Sequence, residues 1–314
     1  LTLGKMAAEL EGLEAALARS KDDLPTMQQI LNHVRNNRIR RPDLVYKCAV
    51  PLLSRGWLGN AQWDIREQLF LAALDLHKFD LAEEQFKALS TRFPNSMRVR
   101  GLEGMKYEAQ ATSMALMEEQ RMQLAEKAMS IYEDIVAEDP CSVTARKRKV
   151  AALRSRGTEE DMRLAIMSLN EYLNIYPTDG DGWKELAEMY LEQQQLESAR
   201  KALEEVVMLQ PVSYLPHLKL AEVLYSLDKY ALARKYYAQS LELNPHKNPR
   251  ASLGMLLCTT AIESPKSGKS KQGDETNTQL FDLSRQMVLG RYAALKPNAP
   301  GASLAPLVKS WLGA

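Results

Sequence analysis

The stretch GDGWKELAEMYLEQQQLESARKALEEVVMLQPVS, residues 180–213, decides the fold of this 314-residue chain. With Gly180 as position 1, Trp183 falls at 4, Leu186 at 7, Ala187 at 8 and Tyr190 at 11, followed by Ala199 at 20, Leu203 at 24, Val206 at 27 and Pro211 at 32. The next 34 residues repeat the series with His217, Leu220, Ala221, Leu224, Ala233, Tyr237, Ser240 and Pro245. Each unit reads as two amphipathic helices joined by a turn. Small residues at 8 and 20 let the two backbones approach where the helices cross, and the larger residues at 4, 7, 11 and 24 fill the space around them. Proline at 32 separates one unit from the next, because it lacks an N–H and restricts the residue before it.

A 34-residue helix–turn–helix period is that of the tetratricopeptide repeat (TPR), whose units stack into a right-handed superhelical solenoid. Three earlier units keep the second-helix signature: Ala82, Phe86, Leu89 and Pro94; Ala128, Tyr132, Ile135 and Pro140; Ala165, Leu169, Tyr172 and Pro177. Pro140 to Pro177 is 37 residues, which assigns three extra residues to the turn around Gly157–Asp161. Pro94 to Pro140 is 46, an insertion of 12 within Ala111–Leu124, whose Met, Gln and Glu favour extension of the flanking helices. A further first helix, Pro249–Ile262, has no clear second helix after it. The expected organisation is an all-α chain with a helical N-terminal cap over 1–58, five TPR-like units plus one helix over 59–263, a flexible polar linker over 264–278, and a C-terminal helix and tail over 279–314. The helix Gln279–Leu295 is expected to dock back onto the last repeat. The apolar cluster Leu307, Val308, Trp311 and Leu312 reads as a helix packed on its own chain, or otherwise as an anchor for another subunit.

A net charge of +1, from 41 basic and 40 acidic residues, argues against a general polyanion binder. No segment reaches the roughly 18 apolar residues of a membrane span. Residues 1–20 mix both charges on an amphipathic pattern unlike a signal peptide. The chain starts at Leu1 rather than Met, which points to a native segment ahead of it. Cys48, Cys141 and Cys258 are odd in number and far apart, as suits a reducing compartment.

The motifs of catalysis are missing. His33, His77, His217 and His246 stand at no metal-ligand spacing, and there is no HExxH, CxxC, P-loop, GxGxxG or G-x-S-x-G. No enzyme activity, cofactor or metal is expected. His217, at position 4, reads as a packed core residue. One run breaks the packing logic: Arg146, Lys147, Arg148 and Lys149 occupy positions 4 to 7, where 4 and 7 should be apolar. Unpaired charge is rarely buried. Either the helix is displaced outward or its cations meet carboxylates; the run then reads as a solvated face whose stems cover neighbouring core, as a basic patch for an acidic partner segment or lipid headgroups, or as a nuclear localisation signal. By position, Lys147 and Arg154 should reach the concave groove, while Arg146 and Lys149 pair with carboxylates of adjacent helices.

In a TPR array positions 2, 5, 9 and 12 of the first helices line that groove. Here they include Met105 and Glu108, then Lys147 and Arg154, then Lys184, Glu188 and Leu191, then Leu218, Glu222 and Tyr225. The groove is mixed and turns apolar toward the C-terminal end, which suits a long peptide or helix of a stable partner. The last eight of these residues form the expected partner-binding set, with Tyr225 as the best single anchor. None of the groove positions considered is Asn, which argues against a clamp for a C-terminal carboxylate. No nucleic-acid partner is expected.

The segments TRFPNSMRVRGLEGMKYEA, IYEDIVAEDPCSVTARKRKVAALRSRG, LNEYLNIYPTDGDGWKELAEMYLEQ and ARKYYAQSLELNP resemble the family of subunit 2 of the endoplasmic reticulum membrane protein complex. The resemblance runs in register from about Trp63 to Ile262 and includes the atypical ARKRK run; the 12-residue insert and the tail depart from it. It implies a peripheral scaffold on the cytosolic face of the endoplasmic reticulum membrane. Such a scaffold cradles cytosolic parts of membrane subunits and a second soluble subunit, in a complex that inserts tail-anchored and multipass proteins. The alternative is a free TPR adaptor or co-chaperone that binds transient peptides.

Overall fold

The structure, a computed structural model, describes residues 3–19, 23–56, 58–112, 117–245, 247–263, 275–293 and 305–312. The described residues form helices, turns and connections and no strand. The chain divides into two compact units, Leu1–Asp161 and Met162–Ala314.

The first unit holds α1 (Leu3–Arg19), α2 (Leu24–Asn36), α3 (Pro42–Arg55), α4 (Ala61–Asp75), α5 (Phe79–Arg92), α6 (Met97–Ala111), α7 (Glu118–Glu138), α8 (Val143–Arg156) and the start of α9 (Glu159–Ile175). The second holds the rest of α9, α10 (Gly180–Glu192), α11 (Leu196–Leu209), α12 (Tyr214–Ser226), α13 (Tyr230–Leu243), α14 (Pro249–Glu263), α15 (Glu275–Ala293) and α16 (Ala305–Trp311). Of the expected pairs, α4 packs on α5 and α6 on α7 in the first unit, and α10 on α11 and α12 on α13 in the second. The second-helix alanines Ala82, Ala128, Ala165, Ala199 and Ala233 are each 0% exposed, which fixes the repeat register.

Each helix pair must stop one helix and start the next within a few residues. Arg38, His77, Gln194 and Asp228 do this with left-handed backbone, φ between 52° and 58°. In each case the following N–H returns to a carbonyl five residues back: Ile39 to Val34, Lys78 to Ala73, Gln195 to Tyr190 and Lys229 to Leu224. This is the Schellman stop, which satisfies carbonyls that the helix end leaves open. The α2–α3 pair thus turns in the same way as the repeats that follow it. At the α8 end, Gly157 takes the left-handed position (φ 71°) and Thr158 caps α9 through Asp161 N (3.0 Å). The turn here is therefore short, and the three extra residues expected in it lengthen α9 instead, to 17 residues against 14 in α11. Part of the 111–124 insert extends α7, which begins at Glu118; residues 113–116 lie outside the described set.

The chain after Pro245 completes a sixth pair. Helix α15 packs on α14 and serves as the second helix that the sequence did not display. Its buried residues are Asn277, Ser284 and Val288, so the usual small apolar signature is replaced by polar groups. Asn277 Nδ2 donates to the Thr259 carbonyl (3.1 Å) and Glu263 Oε1 (2.8 Å), while its Oδ1 accepts from Arg234 (2.8 Å). The helix starts at Glu275, so residues 275–278, read as linker, are helical; 264–274 lie outside the described residues, as do His246 and most of the tail. Helix α16 packs on α15 yet leaves Leu307 and Trp311 exposed.

Candidate partner-binding surfaces

The basic run on α8 resolves into separate tasks. Arg146 Nε donates to the Pro140 carbonyl (2.6 Å). Trp183 Nε1 donates to the Pro177 carbonyl (2.8 Å), and His217 Nε2 lies 2.9 Å from the Pro211 carbonyl. These three residues all stand at position 4, six residues after the repeat proline. What these three junctions share is an N–H that reaches back to a carbonyl at the helix junction, whereas Arg100, six residues after Pro94, pairs with Glu138 instead (2.6 Å). Trp, His and Arg share only that donor, a signal that was present in the sequence and hidden by reading position 4 as apolar bulk. After the last repeat proline, position 4 is Ala251, and Arg291 of α15 donates to the Pro245 carbonyl instead (3.1 Å).

Lys149 pairs with Glu133 of α7 (3.0 Å), as the positions suggested. Lys147 is exposed and Arg154 half-buried; both interact within the chain, and neither lines the 740 Å³ cavity of the first unit. The residue of the run that does so is Arg148, which the sequence reading passed over. It bonds Glu108 Oε2 of α6 (3.0 Å). The other oxygen of Glu108 and the Tyr132 hydroxyl are buried together, each the other's hydrogen-bond partner. Burial raises the Glu108 pKa from its ordinary value, countered by Arg148 and Tyr132.

Glu108 and Arg148 belong to a cavity of about 740 Å³ formed by α2, α3, α4, α6 and α8. Its apolar wall includes Val34, Ile39, Leu71, Leu74 and Met105, and its charged lining is five arginines (Arg35, Arg38, Arg40, Arg41, Arg148) against Asp75 and Glu108.

The second unit has a smaller cavity, about 140 Å³, between α10, α11 and α12. Lys184, Glu188 and Leu191, three of the expected binding residues, line it together with Leu203, Val206, Leu215 and Pro216. Lys219 bonds Glu188 across its rim (2.6 Å), a residue the sequence did not single out, and Lys184 pairs with Asp181 (3.0 Å). Met208 and Val212, at the nearby α11–α12 junction, are 75% and 81% exposed. Leu218 is 3% exposed and belongs to the core of this unit rather than to its surface. The reason is that α12 packs against α11, α13 and α14, which leaves few of its faces open. Glu222 bonds Arg250 of α14 (2.7 Å), and half-buried Tyr225 meets Tyr230 edge-on, ring centroids 5.2 Å apart.

The thiols of Cys48 and Cys258 are buried, which pushes them up to about 11 and about 12, so both stay protonated as core groups. Among the described residues no cluster of His, Cys, Asp and Glu could hold a metal ion, and no helix is long and apolar enough to cross a membrane.

A model of the EMC2 TPR-like repeat domain matches residues 107–243. Over 232 residues, 73% of either chain, the sequence is 35% identical to ER membrane protein complex subunit 2-A of Xenopus laevis. The chain belongs to the ER membrane protein complex subunit 2 family. Other similar proteins are the subunit 2 of Dictyostelium discoideum, 31% identical over 69% of this chain and 65% of that one, and the TPR repeat protein oca3 of Schizosaccharomyces pombe, 33% identical over 58% and 61%. Among solved structures, the C-terminal part of a TPR repeat-containing protein from Cytophaga hutchinsonii is similar with a TM-score of 0.54 at 15% identity, over 90% of this chain and 99% of that one. That likeness concerns the fold alone.

Proposed function

We propose that this chain is a non-enzymatic scaffold subunit of an ER membrane protein complex. It works on the cytosolic face of the endoplasmic reticulum membrane as a peripheral component and holds cytosolic segments of membrane subunits and a second soluble subunit. The assembled complex inserts tail-anchored and multipass proteins, and that chemistry belongs to the membrane subunits. The observation that carries this reading is the 35% identity to subunit 2-A across 73% of both chains. The surfaces support it. The small cavity edged by Lys184, Glu188 and Leu191 suits one apolar side chain of a partner, and Met208 and Val212 extend apolar area beside it. Contiguous exposed apolar surface of this kind marks interaction sites.

Affinity purification of the tagged chain from detergent-solubilised membranes tests the reading. The expected result is a stoichiometric set of membrane proteins. Recovery of a stable, monomeric chain carrying only transient peptides would overturn it in favour of a free adaptor.

A further inference from the structure

The 740 Å³ cavity of the first unit has a chemistry of its own. Four of its five arginines are neutralised: Arg35 by Asp64 (2.6 Å), Arg40 by Asp75 (2.6 Å), Arg41 by Glu14 (3.1 Å) and Arg148 by Glu108 (3.0 Å). Arg38 alone has no carboxylate partner among the described residues, and it is exposed at the cavity edge. Its α-carbon is held by the Schellman stop between α2 and α3, through Ile39 N to Val34 O (2.9 Å). The cavity therefore carries one uncompensated positive charge at a rigidly placed site. The lining as a whole sets five arginines against two carboxylates, and Leu71, Leu74 and Met105 supply an apolar wall.

Resting on the scaffold reading above, we propose that this cavity receives an apolar, acidic segment of a partner chain. A carboxylate of that segment meets Arg38, and its apolar side chains cover Leu71, Leu74 and Met105. Positive potential and an apolar wall select against basic segments, whose cations would face the arginines.

A photo-crosslinking phenylalanine analogue in place of Leu71, with the chain purified in its assembled state, tests the proposal. Mass spectrometry of the crosslinked partner peptide should give a stretch that carries Asp or Glu among apolar residues. Arg38→Gly suits the left-handed backbone and removes only the cation, and should lower the crosslink yield about threefold, the scale of one exposed ion pair. Arg38→Lys should keep it. A crosslink to a basic segment or to lipid overturns the proposal, as does a yield that Arg38→Gly leaves unchanged. Co-purification of partner subunits without any crosslink at residue 71 overturns the proposal while leaving the scaffold reading intact. Loss of co-purification in the unsubstituted chain overturns both.

Discussion

Helix pairs α6–α7 and α10–α11 solve the same packing problem with different side chains. In α10–α11, Ala187 at position 8 and Leu203 at position 24 are both buried at 1%. In α6–α7 the same positions hold Gly104 and Tyr132, and Tyr132 is also 1% exposed. A Cβ on Gly104 would lie 2.5 Å from Tyr132 Cε1, so the phenol occupies the volume that alanine leaves free in the other pair. In these two pairs a smaller residue at position 8 goes with a larger one at position 24, as close-packed interiors demand. Helices α8 and α10 differ in the same instructive way: Arg146 and Trp183 have little in common except an N–H aimed at a proline carbonyl.

The strongest way to break the volume comparison is Gly104→Ala, which should overpack the crossing and destabilise the chain by about 1–3 kcal/mol in urea unfolding. Adding Tyr132→Leu recreates the α10–α11 combination and should recover most of that loss. If the double variant is no better than the single one, volume exchange is not the rule here. Removing the donor at position 4 comes next. Trp183→Phe and Arg146→Met should each cost about 0.5–1 kcal/mol, the net value of one hydrogen bond to an exposed carbonyl, while Arg146→Trp should cost less than Arg146→Met. Equal melting temperatures for these two Arg146 variants would return position 4 to simple bulk. By contrast, Gly101, on the same helix as Gly104, has nothing within 4 Å of a built Cβ. Gly101→Ala should therefore raise stability by about 0.5–1 kcal/mol, opposite in sign to its neighbour three residues on.

The smallest effect concerns two interhelical carboxylates. Glu197 is exposed and held at about 2 by hydrogen bonds from Lys229 and then Arg200, whereas burial raises Glu108 despite Arg148. An NMR titration should place their midpoints on opposite sides of 4.5, the ordinary value for a glutamate. The signs follow from linkage. The contribution of Glu197 is present above its unfolded value and lost as pH falls toward 2. The ionised form of Glu108 opposes folding above its raised pKa, and that cost disappears as pH falls through it. Lys229→Met should move the Glu197 midpoint upward.

The repeat register was legible because position 20 tolerates only small side chains, and Ala82, Ala128, Ala165, Ala199 and Ala233 announce themselves at fixed offsets. The sixth pair was not, because Asn277 and Ser284 replace alanine and satisfy hydrogen bonds that only the folded chain reveals. At the candidate surfaces, Lys184, Glu188 and Leu191 came together as their positions required. Leu218 did not, since position alone does not say how many neighbouring helices surround α12. Arg148 and Arg38 were missed for a related reason: their importance lies in which cations of a crowded set are already neutralised, and those partners are tens of residues away in sequence.

A tandem series has no inherent last member, since each unit offers its successor the same face and the same open carbonyl. In this chain the final carbonyl, that of Pro245, is taken by Arg291 from downstream, and Asn277 fastens the helix that carries it. A duplicated unit placed after α14 would have to evict both residues before it could bond. The junction at this end is already bonded by the chain's own α15, whereas part of the length added between α6 and α7 has gone into prolonging α7. The number of units is written into one arginine that lies outside the repeat pattern.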